Sequence, residues 1–135
     1  MEPPGSTDPK QFIFTFFTSF GRELLRGDEE AGAVVDRYYT PDIVQIADGQ
    51  RMNREQLIAH SRPLRKRQPS SRMEVHDAVA DGDRIAARYT PHVEDRRRSF
   101  AIEVYFFGHF AADGRMRQAH MLTRTLPDEP GAGSS

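Results

Sequence analysis

Apolar positions change their period once along this chain. From Ile13 to Leu64 most recur at three and four residues, and from Met73 onward they alternate. Asp8-Pro9-Lys10-Gln11 reads as a helix start: Asp8 can cap, Pro9 suits the first turn, and Gln11 stands at the capping-box position. Ile13, Phe16, Phe17, Phe20 and Leu24 then form one wide apolar stripe, which predicts a helix ending near Gly27. Asp28 is expected to cap a shorter helix with Ala31, Val34, Val35 and Tyr38 on one face, stopped at Thr40-Pro41-Asp42. Ile43–Ala47 alternates as a short strand before Asp48-Gly49. Asn53 and Gln56 have capping-box spacing for a third helix, with Leu57, Ile58, Ser61 and Leu64 inward and Pro63 expected to kink or end it.

Four strands follow, over Met73–Ala80, Arg84–Val93, Ser99–Phe110 and Arg115–Leu126. Asp81-Gly82-Asp83, Glu94-Asp95-Arg96-Arg97 and Ala112-Asp113-Gly114 are the turns between them. The order is α-α-β-α-β-β-β-β. Three helices must bury against one face of a bent, mostly antiparallel sheet, an α+β cone with an opening between helices and sheet. One domain is expected over 8–126, with loose tails at 1–7 and 127–135. Ser99–Phe110, the longest apolar run, reads as a central strand covered on both faces. Glu103, Tyr105 and His109 share one side of it, and the rest of the chain is expected to close over that side.

Composition narrows the function classes. At 135 residues with net charge −1, nothing favours nucleic acid or an anionic membrane surface. The clusters at Arg62–Arg67 and Arg96–Arg98 read as solvated faces, since no aromatic residues interleave them. The absence of cysteine removes disulfides, thiolate catalysis and cysteine-ligated metals. No apolar stretch approaches a membrane span, and Met1–Pro9 has no signal-peptide pattern, so the expected location is cytoplasmic.

Three segments in order carry a family pattern: YYTPDIVQIADG at 38–49, VADGDRIAARYT at 79–90 and HFAADGRMRQAHMLTRT at 109–125. With this element order, the chain resembles the SnoaL-like branch of the nuclear transport factor 2-like superfamily over roughly residues 12–126. The resemblance implies a cone-shaped pocket for an apolar small molecule and a homodimer through the back of the sheet. It also implies a range of functions, from polyketide cyclases, steroid isomerases and epoxide hydrolases to binding modules. The epoxide-hydrolase pattern of Arg-x-Asp falls on Arg88-Tyr89-Thr90, so the acid is missing. Gln45 and Ala47 stand where that pattern has Tyr and Asn, and Met121 stands where a last-strand acid is expected. The steroid-isomerase base would fall near Ala47. No known catalytic set transfers whole.

The residues themselves offer candidates. Glu103 lies in an apolar strand, where desolvation raises a carboxyl pKa toward that of a general base. Arg88 is expected to point into the cone and steady an oxyanion, or to pair with Glu103. His120 can move protons near neutral pH, or be hydrogen-bonded within the sheet. Tyr38, Tyr39 and Tyr105 can donate phenol hydrogen bonds, and His92 shares the strand face of Arg88. Gln45, Met121, Phe16 and Phe20 complete the expected ligand contacts. A metal site of His92, His109 and His120 competes but lacks any ligand motif, so neither metal nor cofactor is expected. Two functions follow: a cofactor-independent cyclase, isomerase or dehydratase acting on an oxygenated apolar metabolite, or a non-catalytic binding or dimeric accessory module.

Overall fold

The computed structural model describes residues 8–96 and 98–127. The expected loose tails lie outside the described residues, apart from Pro127. Helix α1 (Pro9–Arg26) starts at Asp8, whose carboxylate accepts from the Lys10 N–H at 3.3 Å. Gln11 turns to the Thr15 hydroxyl instead of closing a capping box. Helix α2 (Ala31–Tyr38) starts after Glu30, not Asp28, and has no side-chain cap. Strand β1 (Tyr39–Ala47) follows it directly. The expected stop at Thr40-Pro41-Asp42 is a bulged part of that strand, where Thr40 donates to Asp42 at 2.7 Å.

Asp48 and Gly49, both at positive φ, turn the chain into β2 (Gln50–Met52), a strand too short to show in the sequence pattern. Helix α3 (Arg54–Arg67) carries the expected box: Gln56 N–H donates to Asn53 at 3.0 Å, and Asn53 N–H donates to Gln56 at 2.8 Å. Pro63 does not end it, and the helix runs on to Arg67. Strands β3 (Ser70–Asp81), β4 (Arg84–Asp95), β5 (Arg98–Phe110) and β6 (Met116–Thr125) complete the fold.

The six strands lie in the order β2-β1-β6-β5-β4-β3. All neighbours are antiparallel except β1 and β6, so the sheet is mixed, and it does not close. The three helices cover one face, the cone-shaped arrangement expected. That inner face carries Ile85, Ala87 and Tyr89 from β4, Val104, Phe106 and Phe110 from β5, and Met116 and Ala119 from β6, all buried. The α1 stripe packs onto them, with Phe12 and Phe16 edge-on to Phe110 at 5.0 and 5.6 Å and Phe17 edge-on to Phe106 at 5.8 Å.

Strand β5 is central, but the helices cover only one of its faces. They close over Val104, Phe106 and Phe110, opposite the side bearing Glu103, Tyr105 and His109. The physical reason is that this alternate set is free of charge and can be dried without stranding an ion.

Gly108 sits on the inner face, where the Phe106 ring lies across the backbone; a Cβ there would meet that ring at 2.4 Å. Gly108→Ala is expected to destabilise the fold by about 1–3 kcal/mol through overpacking. Gly21→Ala, on α1 with open space around it, is expected to add about 0.5–1 kcal/mol. Urea unfolding followed by circular dichroism checks both, and equal effects would refute the packing argument.

Candidate functional site

The register of β4, β5 and β6 gathers one set of polar side chains on the outer face. Arg88 lies opposite Tyr105, Tyr105 opposite Leu122, Phe107 opposite His120, and Glu103 opposite Arg124. A groove of about 630 Å³ is lined there by Val79, Arg88, Tyr105, Phe107, His120 and Leu122, among others. Glu103 lies beside it with its side chain only 13% exposed.

Arg124 donates to Glu103 at 3.0 Å and Arg88 donates to it at 3.4 Å, while Arg88 also donates to Asp77 at 3.0 Å. The hydrogen bond from Arg124 holds the Glu103 carboxyl below its ordinary pKa. Burial opposes this, and the charges of Arg124 and Arg88 and the Tyr105 hydroxyl reinforce it. The upward shift expected from an apolar strand is therefore reversed: two guanidiniums outweigh desolvation.

Arg88 does not point into the cone. Tyr89, paired with Val104, takes the inward position, so Arg88 faces out, while Thr90 on the same side of the strand is buried beside His76. His120 is exposed on the outer face, whereas Met121 opposes Phe106 on the inner one. His92 faces out and meets Glu74 at 3.0 Å, beside a His76–Thr90 contact of 2.7 Å. The competing three-histidine site does not assemble: His109 accepts from Arg84 at 2.9 Å, and no metal-holding cluster of three such residues occurs among the described residues.

The other candidates lie on the helix side. Phe16 is wholly buried and Phe20 partly so. Tyr38 donates to Glu23, and burial first, then this bond, pushes its phenol up to about 12. It lies at a separate cavity of about 390 Å³ with Thr15, Ser19, Arg37 and Arg115. Gln45 pairs with Ala119, on the inner-face register. One sheet thus separates Glu103, Arg88, His120, Tyr105 and His92 from Phe16, Phe20, Gln45 and Met121.

Inside, the cone differs between its ends. Around Phe110, Met116 and Ile13 it is packed solid. Toward its wide end Phe17, Phe20, Leu57, Met73, Val75, Ile102 and Met121 remain partly exposed. Tyr89, which was not among the expected ligand contacts, is buried beside Phe17, and its alternation with Ala87 was the signal for its inward direction.

Residues 19–119 match the SnoaL-like domain model, more than half of the chain. The chain belongs to the SnoaL-like family. It is 29% identical over 127 residues to an uncharacterized protein of Schizosaccharomyces pombe, covering 90% of this chain and 89% of that one. Its fold is similar to that of an LEH-like epoxide hydrolase from M. tuberculosis (TM-score 0.62, 17% identity, 87% of this chain and 86% of that one). It is similar also to a candidate isomerase from Rhodopseudomonas palustris (TM-score 0.65, 15% identity, 84% and 90%). IdmH, a candidate polyketide cyclase from Streptomyces antibioticus, shares it as well (TM-score 0.59, 16% identity, 87% and 92%). At such identities these likenesses establish a common nuclear transport factor 2-like fold, one that carries proteins named for small-molecule chemistry. No helix among the described residues of this SnoaL-like domain is long and apolar enough to cross a membrane.

The Glu103 cluster has a pH signature. Its folded pKa lies below the ordinary 4.5, so its stabilisation is complete above that value and is lost as pH falls through the folded pKa. Glu103→Gln is expected to lower stability at pH 7, with the deficit shrinking below about pH 4.5. Urea midpoints measured from pH 7 to pH 3 check this; a deficit independent of pH contradicts it.

Proposed function

We propose that this SnoaL-like domain binds an apolar, oxygen-bearing small molecule at the wide end of its cone and pairs with a second copy through the outer face of its sheet. The observation that carries the first half is the ring of inward apolar side chains that the domain leaves half-buried: Phe17, Phe20, Leu57, Met73, Ile102 and Met121. Apolar surface left wet inside a concave wall, with Gln45 on the same face, has the make-up of a small-molecule pocket. No charged residue is among the inward side chains named on the strands, so a neutral ligand fits better than an ion.

The second half rests on Val79, Tyr105, Phe107 and Leu122, which are 48–67% exposed on one face. Large apolar side chains gathered around one groove favour burial by a partner. A two-fold axis would set this face against itself and leave the Asp77–Arg88–Glu103–Arg124 ion pairs at its margin or within it. In this reading Glu103 and Arg88 hold the sheet together and transfer no proton.

A second reading is favoured by the groove itself. It brings Arg88, Tyr105 and His120 together beside Glu103, the set expected of an enzyme that cyclises, isomerises or dehydrates an oxygenated metabolite. There His120 would move the proton and Arg88 steady the oxyanion.

Two measurements separate these readings. Light scattering after gel filtration is expected to give a dimer for the wild type and a monomer for Phe107→Asp; a monomeric wild type overturns the pairing. The apolar dye 1-aminoanthracene is expected to bind the cone. Met121→Trp, which fills the wide end, should weaken it about tenfold, roughly 1.4 kcal/mol, while Phe107→Asp leaves it unchanged. The opposite pattern moves the ligand to the outer groove and favours the enzyme.

A further inference from the structure

Arg117 has no cross-strand partner on either side. Strand β6 lies between β1 and β5, yet its pairing with both neighbours passes straight from Met116 to Gln118. On β1 the matching positions jump from Tyr39 to Val44, so the bulge of residues 40–43 stands opposite the same residue. An extra residue breaks the alternation of a strand. Met116 and Ala119 are buried on the inner face, and Arg117 and Gln118 between them are both exposed on the outer one. Bulges that re-aim a side chain in this way are common beside functional sites.

The break borders a cavity of about 290 Å³ on the outer face, lined by Arg117 and Gln118 with Asp42, Val44, Ile46, Arg51 and His109. The register explains the gathering: Gln118 opposes both Val44 and His109, and Arg51 on β2 opposes Ile46. Arg51 and Arg117 stand two strand spacings apart, about 10 Å across the sheet, with Val44 and Ile46 of β1 as the floor between them. None of these residues belongs to the cone wall or to the groove around Tyr105. Elsewhere on this face Arg88 and Arg124 hold Glu103, and Arg84 donates to His109. Arg51 and Arg117 make no hydrogen bond or ion pair among the described residues. Asp42 is the acid of the lining, and Thr40 already donates to it at 2.7 Å. That bond, then its own backbone, then the Arg117 and Arg115 charges hold the Asp42 carboxyl below its ordinary pKa, so it is ionised at neutral pH. Two guanidiniums against this one carboxylate leave one positive charge unmatched.

We propose that this cavity binds the carboxylate of a small monoanionic molecule between Arg51 and Arg117, with the apolar body of the ligand over Val44 and Ile46. Arginine forks match the two oxygens of a carboxylate, and the Gln118 amide adds an uncharged donor. A phosphate monoester brings nearly two negative charges and would meet Asp42 as a like charge. The volume stands at the lower end of small-molecule sites and suits a ligand of about one ring. The site is independent of what the cone holds.

NMR titration of the amide signals at low salt tests this, with benzoate, its uncharged analogue benzamide and phenyl phosphate as probes. Benzoate is expected to move the signals of residues 44–51 and 117–118 and to bind with a Kd of about 1 mM. Benzamide should bind about tenfold more weakly, and phenyl phosphate no more tightly than benzoate. Arg51→Gln and Arg117→Gln should each weaken benzoate about fivefold, and neither should lower the melting temperature, because neither side chain holds a bond in the free protein. Arg62→Gln, which removes an exposed arginine from α3, should leave benzoate binding unchanged. Equal binding of benzoate and benzamide, or no saturable shift with benzoate, overturns the site. An equal loss in the Arg62 variant reduces the effect to overall charge and overturns it as well. A lower melting temperature with either cavity variant shows that arginine already engaged within the protein and has the same consequence. Tighter binding of phenyl phosphate than of benzoate overturns the assignment to a monocarboxylate.

Discussion

The contact between the α1 aromatic stripe and the inner side of β5 is what the remaining structure depends on. Phe16 meets the rings of Phe12, Phe17, Tyr38, Tyr39 and Phe110, mostly edge-on. Each large side chain taken out of water in this way contributes about 1.5–3 kcal/mol, and edge-on rings add to it. The same contact selects a face. Once Phe106 and Phe110 lie under α1, every odd-numbered residue from Ala101 to His109 on β5 must face away. Through the sheet register this choice passes to the neighbours, so that Arg88, His120 and Arg124 face away too.

The outer face then has its own internal logic. Asp77, Arg88, Glu103 and Arg124 come from four successive strands and alternate in charge. Exposed pairs of this kind are individually weak, and their value here is in matching the register of β3 through β6. Beside them stand apolar groups that nothing described covers. The inner face is the complement, with polar atoms few and buried. The sheet thus carries two different surfaces, an outer one that is exposed and charged and an inner one that is apolar and left partly open around Phe17, Phe20 and Met121.

The element order was readable because period and punctuation were strong. The capping box at Asn53 and Gln56, the apolar spacing of α1 and the Asp-Gly turns each act through local chemistry. The misreadings also have local causes. Strand β2 has three residues, too few for alternation to register. Pro63 faces solvent late in α3, where a missing N–H is tolerable. Asp28 lies too far ahead of Ala31 to reach its first turn.

The chain by itself determined that three helices would cover one face of a curved sheet, and that Glu103, Tyr105 and Arg88 would stand together. It did so because helix and strand periods, and the pairing of alternate residues, are properties of neighbouring positions. Only the tertiary structure decided which side of the sheet became the interior. On β5 both alternating sets contain aromatic residues, and on β4 Arg88 and Tyr89 are adjacent, so a shift of one residue exchanges inside for outside. That choice is made by the fit of α1 against Phe106 and Phe110, a contact between residues about ninety positions apart that no local pattern encodes.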